Sequence, residues 1–215
     1  MRALKFLFLA AVAFGPGGCS SSSPAHTPGG ADSGESPLVY TGQVPGTDVL
    51  VAIVATPGHA RAYFCGGPSS YATLTHWFAV DLDASGKAVS QSDGGGWSLQ
   101  MQVEGTGVVG SMTSSDGATH AFATSAVASG TIAGLYETLA SPCGRIGLIV
   151  IQSGAGAMPA GQGACVGLGA PSGSSSVLQV NPLRPIVRTP EGAIAVVVAG
   201  TTAEVLALPA AVTAD

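Results

Sequence analysis

Three histidines, His59, His76 and His120, are the side chains best suited to exchange a proton near neutral pH. With Asp81 or Glu137 they could form an acid–base pair or a metal site. Their spacing carries no ligand pattern, and His-Glu-x-x-His does not occur. Any such site must therefore be assembled by the fold. One version gathers His59, His76 and Asp81 into a hydrolytic centre. Gly-x-Ser-x-Gly and Ser-x-x-Lys are both absent, so no serine is marked as a nucleophile. Cys65, beside Gly66-Gly67, has only Arg61 nearby to activate it and reads better as a buried structural thiol.

Two further motifs weaken when their context is read. Asp81-Leu-Asp83-Ala-Ser85-Gly86 places oxygens at alternate positions and Gly at the sixth, as a calcium loop does. Its twelfth position is Ser92 where a bidentate Glu is needed, so a polar hairpin tip is the simpler reading. Gly105-Thr-Gly107-Val-Val-Gly110 matches a dinucleotide fingerprint in letters, but a turn follows it where a helix should start. No metal or cofactor is expected. The remaining cluster is aromatic: Tyr71, His76 and Trp77, followed by Phe78. Aromatic side chains with a polar tip commonly line binding surfaces, which makes Tyr71, His76 and Trp77 the candidate binding residues. The competing reading places Trp77 in the core.

The elements that would position these residues read as strands. In Trp97-Ser-Leu-Gln-Met-Gln-Val-Glu104, Trp97, Leu99, Met101 and Val103 face one way and the polar residues the other. Val49-Leu-Val-Ala-Ile-Val-Ala55 is apolar throughout and predicts a strand buried on both faces. Asp83-Ala-Ser-Gly86 and Ser115-Asp-Gly117 predict hairpin turns. Ile132 to Leu139 fits a helical turn or two, and Ser172 to Ser176 a mobile loop. Short strands at spacings of about 8–12 residues imply a sandwich or barrel. The fold class is therefore all-β: an antiparallel sandwich or partly open barrel, in a single domain over residues 38–215 with a soft boundary near 140. A transmembrane barrel is disfavoured, because aromatics are only 6% of the chain and girdles of them are required.

Composition narrows the partners. The formal charge is −5, and no basic stripe exists to hold nucleic acid. Charged residues are 9% of the chain, and Gly is 32 of 215 residues, which fits a glycine-rich β-protein with neutral surfaces.

The chain opens with Arg2 and Lys5, then Phe6-Leu-Phe-Leu-Ala-Ala-Val-Ala-Phe14, then Gly15-Pro-Gly-Gly18 and Cys19. A basic start, a short apolar run and small residues make an export signal. The run is too short to span a bilayer, which needs about 20 residues. The segment Gly17-Gly18-Cys19 resembles a bacterial lipoprotein signal, with Pro16 standing where that pattern has Leu. The resemblance implies removal of residues 1–18, lipidation of Cys19 and attachment to the cell envelope, at the outer membrane where the cell has two. Plain cleavage after Ala11-Val-Ala13 and an uncleaved anchor are the alternatives. Residues 19–37 follow as a lipidated Cys and a disordered Ser/Pro/Gly linker. As a coil it would average roughly 20–25 Å end to end. His26 falls in it and is incidental. With Cys19 set aside, Cys143 and Cys165 flank an expected hairpin and are the favoured disulfide, although spacing does not fix the pairing.

Tyr40-Thr-Gly42, Gly46-Thr-Asp48, Val51-Ala-Ile-Val54, Ala62-Tyr-Phe-Cys-Gly66 and Gly134-Leu-Tyr-Glu137 resemble a set of uncharacterised exported bacterial β-domains, chiefly actinobacterial, over roughly residues 38–140. Glu137 stands where that pattern has Arg. The resemblance implies a β-fold and no particular chemistry. Function is expected to be that of a non-catalytic binding or structural module on a membrane anchor, with an envelope protein or glycan as partner. The alternatives are the hydrolase around His59, His76 and Asp81, and a small-ligand carrier with a cavity inside a barrel.

Overall fold

The computed structural model of the protein describes residues 37–90, 95–140, 143–167, 177–198 and 200–207. The export signal, Cys19, the linker and the Ser172–Ser176 loop lie outside the described residues, as does the side chain of Cys143.

The described chain is all-β and antiparallel, as expected. Strands β1 (Leu38–Gln43), β2 (Leu50–Thr56), β3 (His59–Cys65), β4 (His76–Asp81), β5 (Lys87–Ser90), β6 (Ser98–Glu104), β7 (Gly107–Thr113) and β8 (Thr119–Ala126) form one sheet. Its order is β4-β3-β2-β1-β8-β7-β6-β5, which curls into a nearly closed barrel. Strands β9 (Gly134–Ala140), β10 (Cys143–Ile151), β11 (Ala160–Val166), β12 (Val177–Pro182), β13 (Ala193–Val198) and β14 (Thr201–Ala207) form a second barrel, closed by pairing of β14 with β9. The change of barrel falls between Ala126 and Gly134, earlier than the boundary expected near 140, and both barrels belong to one compact unit.

Two local expectations are corrected. The Asp83–Gly86 turn forms, with Asp83 Oδ1 accepting from Ser85 N, Ser85 Oγ and Lys87 N, and with Gly86 at φ +80°. The strands it joins do not pair along their length, because β4 binds β3 and β5 binds β6 at opposite ends of the sheet. The segment expected to make a helical turn is β9. Ile132, Leu135, Tyr136 and Leu139 fit a helical stripe, but the pairing of β9 to both β10 and β14 supplies more backbone hydrogen bonds than two isolated turns could.

Alternation then sorts the side chains. Ile53, Ala62, Phe64, Phe78, Leu99, Met112 and Phe122 fill the first barrel, and Tyr136, Ile146, Leu148, Val180, Ile194 and Val205 fill the second. A third cluster joins the barrels: Leu50, Ala52, Val54, Tyr63 and Cys65 from the outer faces of β2 and β3 meet Leu135, Ile149 and Ala164. This explains the uninterrupted apolar run Leu50 to Ala55. One set of its side chains enters a barrel core and the other enters the joint, so every residue of the run is 7% exposed or less.

Candidate functional site

The outer face of β3 and β4 carries, in register, His59 opposite Asp81, Arg61 opposite Ala79 and Tyr63 opposite Trp77. His59 Nδ1 lies 2.8 Å from Asp81 Oδ1, and the two side chains are 43% and 83% exposed. His76 does not join them. It sits five residues back along β4, about 17 Å at roughly 3.4 Å per residue, and alternation turns it to the opposite face. The trio His59, His76 and Asp81 is therefore not assembled. Among the described residues no three His, Cys, Asp or Glu side chains gather as metal ligands. The carrier alternative needs a hollow barrel, whereas packed side chains occupy both interiors.

Where the two barrels meet, a crevice of about 690 Å³ opens. Its walls include His76, Trp77 and Trp97 from the first barrel, Thr73 and Thr75 before β4, and Asp116 on the β7–β8 turn. Leu139, Arg145, Val166 and Val177 line it from the second barrel. That volume lies within the usual range for small-molecule sites. A hollow of about 460 Å³ beside the Asp83–Gly86 turn has no aromatic wall.

The aromatic walls are packed ring on ring. The Trp97 ring stacks on His76, with centroids 4.5 Å apart and planes 6° apart. His76 in turn packs edge-on against Phe78. Trp77 stacks on Tyr63 at 4.1 Å, and the Arg145 guanidinium lies 4.8 Å from its ring centroid. The Tyr63–Trp77 pair rests on the backbone of Gly147, where an added Cβ would come within 2.6 Å of both rings. Trp77 Nε1 is buried without a hydrogen-bond partner among the described residues, and the Tyr63 hydroxyl is buried beside the Cys65 thiol and the Ala164 backbone. Close aromatic packing at the joint is thus kept at the cost of an unpaired indole N–H.

Polar groups seal the joint around these rings. Glu137 on β9 meets Arg145 Nε at 2.8 Å and Arg61 NH1 at 3.4 Å, with all three side chains at least two-thirds covered. Gln162 donates to the Asp48 carbonyl at 3.0 Å and to the Cys65 carbonyl, tying β11 to the first barrel. Glu137→Ala would leave two poorly solvated guanidiniums beside each other, and should destabilise the fold by about 2 kcal/mol in urea titration. Glu137→Gln should cost less, and equal losses would show that the charge is irrelevant.

Arg145 and Asp116 still have hydrogen-bonding capacity to offer. Arg145 uses Nε on Glu137, and its terminal nitrogens have no partner among the described residues. Asp116 accepts from Ser114 Oγ and Ala118 N, both at Oδ1, which leaves Oδ2 open. The Ser114 hydroxyl and the Ala118 amide hold its carboxyl below the ordinary 3.8, so it is ionised at neutral pH.

Behind the crevice wall, burial pushes the Cys65 thiol from 9.0 up to about 12, and raises Tyr63 well above 10.0. Cys65 is free and fully buried, which suits the structural role expected of it. Cys165 is disulfide-bonded. Asp48 accepts from Ser69 N at 2.8 Å and from Ser70 Oγ, and so pins the loop between β3 and β4.

Of the candidate binding residues, His76 and Trp77 line the crevice, whereas Tyr71 belongs to the loop pinned by Asp48 and is not among the lining residues. Trp97 and Arg145 were missed. Trp97 reads as the first inward residue of the alternating run Trp97–Glu104 and lies just before β6, and only the stack on His76 turns it into a wall. Arg145 follows Cys143 by two residues with nothing local to mark it. No protein-family model, curated protein or solved structure matches the chain.

Proposed function

We propose that the protein is a lipid-anchored component of the cell envelope whose folded part is a non-catalytic binding module, with the crevice between the barrels as its binding site. The carrying observation is the crevice itself: a wall of stacked aromatic rings, its lining imidazole His76 packed on Trp97, with open donors and acceptors beside it among the described residues. The anchor rests on Gly17-Gly18-Cys19 after the apolar run and on the Ser/Pro/Gly tether that follows. Two acyl chains would hold such a protein stably on a bilayer.

Two measurements test this reading. Mass spectrometry of the mature N-terminus should find acylated Cys19, and Cys19→Ala should move the protein from membrane to soluble fractions. A free N-terminus at another residue would refute the anchor. Separately, the secreted Cys19→Ala protein should be retained by isolated cell-wall material, and the Trp97→Ala,Arg145→Ala double variant should not. Equal retention of the two proteins would remove the crevice as the binding site.

A further inference from the structure

We propose that the crevice takes a neutral oligosaccharide of two or three sugar units, stacked on Trp97 and hydrogen-bonded between Arg145 and Asp116. This rests on the reading of the crevice as a binding site and adds the ligand class. Three observations select that class.

The first is the stacked platform. His76 occupies one face of Trp97 and fixes the plane of the ring. Trp97 is half-buried, packs against the first-barrel core and still forms part of the wall, so the part of its ring left uncovered is a π-surface set in place by its neighbours. The electron-rich face of an aromatic ring attracts C–H bonds polarised by neighbouring oxygens, which a pyranose presents on its less polar side. The stack is formed before binding, so no side-chain freedom is lost at that contact.

The second is the pairing of open donors and an open acceptor. The terminal nitrogens of Arg145 present a planar fork of N–H groups, and Asp116 presents Oδ2. A vicinal diol can accept from such a fork through its oxygens and donate to a carboxylate through its hydrogens. An apolar ligand would bury both groups without partners, at considerable cost.

The third is charge balance. Besides the His76 imidazole, which is stacked on Trp97, the wall carries one guanidinium, already paired with Glu137, and one carboxylate. An anion would face Asp116 with only a half-neutralised cation to favour it. A cation would face Arg145. A neutral polyol meets neither penalty. The volume of about 690 Å³ accommodates two or three sugar rings.

The chain supplies its own reporter, since it has two tryptophans and both line the crevice. Titration of the full domain with maltotriose, cellotriose, chitotriose and trigalacturonic acid should change tryptophan emission saturably with at least one neutral trisaccharide. Trigalacturonic acid should bind more weakly. Trp97→Ala should weaken binding about tenfold or more, and Trp97→Phe less, because it keeps a π-face and guards against misfolding. Asp116→Asn and Arg145→Gln, read by calorimetry, should each weaken binding. No saturable response to any neutral probe at about 10 mM overturns the inference, as does tighter binding of the anionic one. If cell-wall retention is nevertheless lost in the double crevice variant, the binding-module reading survives with another ligand. If retention is unchanged as well, both fall.

Discussion

Gly147→Val is expected to cost about 3 kcal/mol or more, with the damage centred on the joint between the barrels. Gly147 lies on the outer face of β10, opposite Glu137 on β9 and Ala164 on β11. Its missing side chain is the floor on which Tyr63 and Trp77 rest, and a first carbon there would stand 2.6 Å from atoms of both rings. Neither ring can retreat. Tyr63 is fully buried and stacked on Trp77, while Arg145, held by Glu137, lies over the Trp77 ring. A branched side chain must therefore push the two sheets apart, which would also separate Gln162 from the carbonyls of Asp48 and Cys65. Urea unfolding followed by tryptophan emission reads the change, because Trp77 sits at the joint. Gly154→Val is the control, since a Cβ there meets nothing within 4 Å. It should stay within about 0.5 kcal/mol of the parent. Equal midpoints for the two variants would show that the aromatic pair is not wedged on β10.

The glycine at 147 illustrates which features the sequence could reveal. Period-two alternation in Trp97–Glu104 and the doubly buried run at Leu50–Ala55 are local signals, and both translated directly into strands. The turn chemistry of Asp83–Gly86 was equally local, but which strands its arms would join depends on barrel curvature and lies beyond any short window. The same limit applies at Ile132–Leu139, where a helical spacing of apolar residues was overridden by pairing on both sides. For the crevice, His76 and Trp77 were legible as a dense aromatic patch. Trp97, Arg145 and Asp116 come from three distant segments and acquire meaning only through contacts across 20 or more residues. Glu137 is the instructive intermediate. It could be seen as a carboxylate in an otherwise apolar stretch, and the fold supplies the reason it is useful there, between Arg61 and Arg145.

A second large effect should appear in alkali, and its origin is the Cys65 thiol behind the crevice wall. In the unfolded chain the thiol ionises near its ordinary 9.0, whereas burial keeps it protonated in the folded protein up to about 12. Below about pH 9 both states hold the proton and the full stability is present. Above that value the unfolded state holds fewer protons than the folded one, so stability falls as pH rises, by about 1.4 kcal/mol per unit. The accumulated loss approaches about 4 kcal/mol by about pH 12, a large share of the roughly 5–15 kcal/mol that ordinarily holds a domain folded. Tyr63, raised well above 10.0 by the same burial, adds a second slope that begins about one unit higher. The interval between about pH 9 and 10 therefore isolates the thiol. Rapid pH-jump unfolding followed by tryptophan emission should show the slope there in the parent and not in Cys65→Ala. Reading within seconds keeps the disulfide at Cys165 out of the result, because thiol–disulfide exchange takes minutes to hours. Cys65→Ala also leaves a small void at the joint, so its stability at neutral pH should be lower while its alkaline slope is flatter. Parallel curves for the two proteins across that interval would mean that Cys65 is already open to solvent, and that the joint is looser than its packing implies.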